Sequence, residues 1–145
     1  MTNKKIKAVG HICKVIMLFL LGGHIYACIE TFARGYTHWT MFILGGICFL
    51  IIGLLNEAIP CKLSITTQAL IGAVVITALE FVSGCILNLW LDLNVWSYSE
   101  KPYNLLGQIC GENCFYWLIL SFVGIIIDDF VRVVLFGEDM PKYHL

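Results

Sequence analysis

Charge is scarce in this 145-residue chain. Asp, Glu, Lys and Arg make up 13% of it and hydrophobic residues 59%, against about 25% and about 45–50% in soluble globular domains. That imbalance, with a mean hydropathy of +0.86, excludes an ordinary soluble domain. A net charge of −1 leaves no basic face for nucleic acid. No run of like charge marks a disordered tail.

Motifs for soluble chemistry are missing as well. There is no Gly-x-x-x-x-Gly-Lys-Ser/Thr loop to cradle a nucleotide, so the chain cannot hydrolyse ATP by that route. It has no Gly-x-Ser-x-Gly elbow and no His-Glu-x-x-His pair. The seven cysteines contain no Cys-x-x-Cys pair and no zinc-like spacing with histidine, so neither a metal nor another cofactor is expected. Most of them lie inside apolar stretches, where Cys packs as a small apolar side chain. Cys110 and Cys114 are four apart and close enough to bridge in an oxidising space, but inert packing is the expectation.

What the chain does have is four long apolar stretches, near 14–33, 39–59, 64–90 and 108–136. Each reaches the roughly 20 residues that a helix needs to cross a hydrocarbon core. The expected fold is therefore all-α, a single-domain polytopic integral membrane protein with four transmembrane helices and an outer loop over 92–107. Lys4, Lys5, Lys7 and Lys14 ahead of the first stretch imitate a signal peptide. The stretch is too long for one, however, and ends on Glu30 and Arg34 without a small-x-small site, so a retained helix is expected. With four crossings, seven of the nine Lys and Arg residues fall on the side of the termini. The positive-inside rule then puts both termini in the cytoplasm, in the cell membrane.

Each stretch carries acid: Glu30, Glu57, Glu80, and the pair Asp128/Asp129. A carboxylate at membrane depth costs several kcal/mol unless paired, hydrated or protonated. At about 100° per residue, Gly23, Ala27, Glu30 and Arg34 share one stripe of the first helix. Gly46, Gly53 and Glu57 share one on the second. Ala69, Ala73, Thr77, Glu80, Gly84 and Asn88 line the third, and Asn113, Trp117, Ser121, Gly124 and Asp128 the fourth. Small residues let helix backbones approach closely and polar atoms find partners there, so these stripes should face one another. Glu80 sits near mid-helix, too far from either boundary to snorkel.

Glu30 and Arg34 are four apart and can pair on a helix face. Arg34 with His38 would meet an anionic group, a lipid phosphate or a carboxylate solute, at the mouth of the bundle; an interfacial salt bridge that fixes helix tilt, with Trp39 as anchor, is the plainer reading. Glu80, with Thr77 and Asn88 on its face, is the candidate intramembrane carboxylate, for proton or cation handling or for gripping a polar substrate; the plainer reading is a structural hydrogen bond between helices. Arg132 can pair with Asp128 or Asp129 as a charge cluster at the inner boundary. Ile29-Glu30-Thr31-Phe32 and Leu79-Glu80-Phe81, each followed by a Trp-hydroxyl pair, hint at a duplicated hairpin.

Together these residues resemble a family, the small bacterial four-helix membrane proteins known as putative ABC-transporter permeases, type IV. The likeness rests on Gly22-Gly23-x-x-Tyr26-x-x-Ile29-Glu30-x-x-x-Arg34-Gly35-x-Thr37-His38-Trp39-Thr40. It continues through Gly45-Gly46, Gln68, Thr77-x-x-Glu80-Phe81-x-x-Gly84-x-x-x-Asn88, Trp96-Ser97-Tyr98-Ser99 and Asn104-Leu105-x-Gly107-Gln108-Ile109-Cys110. Ser97 stands where the family pattern has an acid. The resemblance implies a permease-like transport component with a separate ATPase subunit and homo-oligomerisation. It adds Trp96, Asn104 and Gln108 to the candidate substrate-binding set of Glu30, Arg34, His38, Trp39, Glu80 and Asn88. Two other functions stay open: a scaffolding module that binds a partner or lipid, and an intramembrane enzyme acting on lipid or envelope precursors. The substrate, the direction of transport and the oligomer are not readable from the residues.

Overall fold

The helices fall where the apolar runs are uninterrupted. In the computed structural model, α1 runs Thr2–Arg34, α2 Trp39–Ala58, α3 Ile65–Gly84 and α4 Gly111–Phe136, and Cys85–Trp90 continues α3 as a π-helical segment. The structure describes residues 2–58, 63–139 and 143, with side chains from residue 10 onward except those of 56–58. Glu57 and the turn around Pro60 lie outside the described side chains. The described residues are all-α, with no strand.

Local chemistry sets the helix ends. Gly35 at φ 79° terminates α1, its N–H bonded to the Thr31 carbonyl at 2.7 Å. Ser64 caps α3, its hydroxyl accepting from the Thr67 N–H at 3.2 Å, as short polar residues do at N-caps. Gly137 at φ 67° closes α4 in the left-handed conformation that glycine adopts without Cβ strain. The loop is longer than 92–107 at its far end, because α4 begins at Gly111 rather than 108. Gln108 is held by the loop's own hydrogen bonds and so cannot join the helix.

Two helices are long and apolar enough to cross a membrane, Gly10–Arg34 and Ile65–Trp90; Trp39–Leu55 is a shorter apolar helix. The bundle is two hairpins. α1 packs along α2, α3 along α4, and α2 touches both α3 and α4, whereas α1 forms no extended seam with α3 or α4. The core at the centre joins Cys48 and Ile52 to Ala69, Ala73, Ile76, Trp117 and Ile125.

The acids turn inward, as the stripes require. Glu30, Glu80, Asp128 and Asp129 are all buried, and Arg132 with them. Arg132 donates to Asp128, and the hydroxyl of Tyr143 donates to Asp129 at 2.7 Å. The two Trp-hydroxyl pairs do not behave as copies: Trp39 is 67% exposed and Trp96 5%.

Glycine pairs set the α1–α2 spacing. A methyl group at Gly23 would stand 2.7 Å from the Phe42 carbonyl oxygen, and one at Gly46 2.7 Å from that of Phe19. Gly22 receives Phe49 and Gly45 receives Tyr26 in the same way. Gly46→Ala should therefore destabilise the protein by about 1–3 kcal/mol through overpacking. Gly10→Ala, where nothing lies within 4 Å, should be neutral or stabilise by up to about 1 kcal/mol. Thermal unfolding of the two variants in detergent checks the contrast, and equal midpoints would refute the interlock.

Candidate functional site

All three acid sites have to offset burial, and each does so differently. Call the end of the bundle that carries 35–38 and 91–110 the loop end. There α1 supplies Glu30, whose carboxylate accepts from Arg34 one helical turn on and from the Thr37 hydroxyl. The Arg34 guanidinium also donates to the Val95 carbonyl at 3.2 Å and lies 4.9 Å from the Tyr36 ring centroid. A cation in the last turn of α1 is favoured by the helix dipole. The Nε–H of Arg34 is buried and makes no hydrogen bond.

Glu80 is 1% exposed, and among the described residues no cation pairs with it. Its oxygens are served by neutral donors. Trp117 of α4 donates through Nε1 at 2.7 Å to one, and Tyr98 of the loop donates through its hydroxyl at 3.0 Å to the other. The Asn113 amide donates to the Tyr98 oxygen at 2.5 Å. Burial pushes the Tyr98 phenol well above its ordinary range, with the charge of Glu80 adding to the rise. Tyr98 therefore stays protonated and remains a donor.

Tyr98 can reach Glu80 because the loop is tied down beneath it. The Asn88 amide in the π segment donates to the Gln108 side chain at 2.8 Å, and its oxygen accepts from the Val95 N–H at 2.7 Å. Trp96 donates to the Gln108 carbonyl at 3.0 Å. Asn88, Trp96 and Gln108 are all buried. Asn104 spends its side chain on the loop backbone, donating to Lys101 O at 2.7 Å and accepting from Gly107 N at 3.1 Å. His38 bonds the Thr40 hydroxyl at 2.7 Å, and Trp39 points outward.

Two adjoining cavities that share walls, together a groove, border the two acid sites. At the loop end a cavity of about 480 Å³ is walled by Glu30, Arg34, Tyr98, Lys101, Asn113 and Tyr116, among others. Next to it, deeper between α1 and α4, is a second of about 180 Å³, with Gly22, Ile25, Phe49, Val123 and Gly124 on its walls and Glu80 among them. Tyr26, Ile29, Trp117 and Leu120 line both. Tyr26 and Trp117 stack across the gap, 5.7 Å between centroids at 26°.

A family model described as Putative ABC-transporter type IV matches residues 7–137. The chain belongs to that family. With two helices apolar and long enough to span a bilayer, this type IV family member is a transport-related membrane protein. No curated protein and no solved structure matches it.

Of the residues expected from sequence, the fold brings Glu30, Arg34, Glu80 and Trp96 to the groove walls. Asn88, Gln108 and Asn104 instead form the brace behind them, and His38 and Trp39 stand apart. The sequence does not single out Tyr98 as a partner of Glu80. Trp117 shows only as a member of the polar stripe on the fourth helix, with nothing to say that its indole N–H serves an acid 37 positions away.

Trp117→Phe removes one of the two donors to Glu80 and should cost about 1–3 kcal/mol, the penalty for a buried acceptor left unsatisfied. Trp39→Phe, at an exposed ring, should cost far less. Urea or thermal unfolding in detergent measures both; a Trp117→Phe midpoint equal to wild type would mean that water or another group already serves that oxygen.

Proposed function

We propose that this chain is a permease-like subunit of a membrane transporter, with four spans and both termini in the cytoplasm. Glu30, Arg34 and Glu80 form its intramembrane polar site. The observation that carries the reading is the groove itself: two buried carboxylates, one without a cation among the described residues, lie on the walls of adjoining cavities bordered by all four helices. An intramembrane acid facing a cavity is by default a pathway residue. Family membership supports transport. The missing nucleotide loop calls for a separate ATPase subunit, and four helices alone enclose a narrow path, which favours a homo-oligomer in the cell membrane.

Within this reading Arg34 meets the substrate at the loop end, and Tyr26, Trp117 and Glu80 form the inner part of the path. Asn88, Asn104 and Gln108 position the loop rather than touch cargo, and Trp96 does both, bonded to Gln108 and bordering the groove. His38 and Trp39 anchor the start of α2.

Affinity purification from native membranes should bring down vanadate-sensitive ATP hydrolysis with the chain. Glu80→Gln retains the side-chain shape and one acceptor, so it should preserve the complex while lowering that hydrolysis by about tenfold, as removal of a buried charge at a working site does. Complex with wild-type hydrolysis in the Glu80→Gln variant would remove Glu80 from the mechanism. A complex with no ATP hydrolysis at all would end the transporter reading.

A further inference from the structure

The groove is amphipathic along its length, and it opens sideways. α1 and α4 form no extended seam; Ile29 of α1 and Val123 of α4 stand at its rim, 39% and 43% exposed. Its inner chamber is walled by Gly22, Ile25, Phe49 and Gly124, and the one acid there, Glu80, already has a donor on each oxygen. Its loop-end chamber carries Arg34 and Lys101 against Glu30. Those walls hold two cations and one anion, and each cation already has a carboxylate partner, Arg34 in Glu30 and Lys101 in Glu112. Glu112, which pairs with Lys101 at 2.7 Å, is not among the residues lining the chamber. Arg34 keeps a buried N–H with no acceptor.

We infer that this groove is a binding site for a membrane phospholipid, with the headgroup phosphate at Arg34 and Lys101 and one acyl chain laid past Tyr26 and Trp117 into the inner chamber. A guanidinium and an ammonium on one chamber wall suit a phosphate, whose several oxygens accept charge-assisted hydrogen bonds. An acyl chain that slides in between α1 and α4 never leaves an apolar medium, so entry requires no dehydration of the tail. A free anionic solute would occupy the loop-end chamber but leave the inner one empty; a neutral lipid would fill the inner one and make no charge-assisted bond to Arg34 or Lys101. The inference rests on the transport reading above and names its substrate class.

Native mass spectrometry of the purified chain tests it with three probes: a phosphatidylglycerol, a diacylglycerol with the same tails, and glycerol 3-phosphate. Phosphatidylglycerol should be retained, diacylglycerol about fivefold less, and glycerol 3-phosphate not at all, since charge-assisted headgroup bonds and the packing of a tail in the inner chamber are both needed. Lys101→Gln, a change on the loop that leaves the helices alone, and Arg34→Lys should each reduce phosphatidylglycerol retention towards the diacylglycerol level. Val123→Trp, at the rim, should block both lipids; Leu120→Trp serves the same end if that variant loses helicity. Equal retention of all lipids by all variants would mean unspecific annular lipid and overturn the site. A Val123→Trp variant that keeps its lipid but changes oligomeric state would show that a second copy fills the groove, and would overturn it too. Lipid selectivity lost with Glu80-sensitive ATP hydrolysis intact removes this inference and leaves the transport reading standing. Selectivity present without any copurifying hydrolysis does the reverse.

Discussion

The arrangement depends on how one carboxylate is kept at the centre of an apolar bundle. Glu80 is buried on α3 without a cation among the described residues, and such a group is strongly unfavourable unless hydrogen bonds replace its water. The replacements come from far away in sequence: Trp117 on α4 and Tyr98 on the loop. Satisfying them forces α4 to present its indole to α3 and forces the loop to fold back over the bundle. The brace of Asn88, Gln108 and Trp96 follows from that demand. Without it Tyr98 would have no fixed position, and Glu80 would lose a donor.

The other acids show what the simpler solution is. Glu30 has Arg34 one helical turn away, and Asp128 has Arg132 at the same spacing. Both pairs are local, built within one helix, and neither needs a loop or a partner helix to form. Asp128 goes further and fills the space beside Gly53 on α2, where any side chain would collide with its carboxylate. An acid with a built-in cation explains itself structurally. Glu80 has no such explanation, and this difference, rather than burial alone, makes it the centre of the candidate site.

The same contrast decides how much could be read from residues alone. The i,i+4 pairs are visible in sequence because helix geometry fixes who meets whom. The glycine and acid stripes are visible for the same reason, and the inward turn of the acids follows from them. Long-range partners are not visible: Tyr98 and Trp117 stand 18 and 37 positions from Glu80, and no periodicity links a loop hydroxyl to a helix carboxylate. Asn88 was legible as a buried polar group on the third stripe. Polarity does not distinguish a residue that holds a loop from one that grips a ligand, and Asn88 holds the loop. Gln108 looks like the start of a helix by hydropathy, yet its carbonyl and amide are spent on Trp96, Asn88 and Leu106, which keeps it out of α4.

The hairpins also divide the bundle mechanically. Within α1–α2 the glycines bring backbone against side chain so closely that any separation would open voids on both sides, and close-packed interiors resist that. Between α1 and α4 the contacts are few and discrete: the Tyr26–Trp117 stack toward the loop end, and Lys14 with Glu138 and Phe136 near the termini. The α1–α4 seam is therefore the one least costly to part. In this molecule that seam runs past Glu80 through Trp117, so whatever moves the aromatic stack also disturbs a donor to Glu80. Opening of the α1–α4 seam and the hydrogen bonding of Glu80 are therefore coupled through a single indole ring.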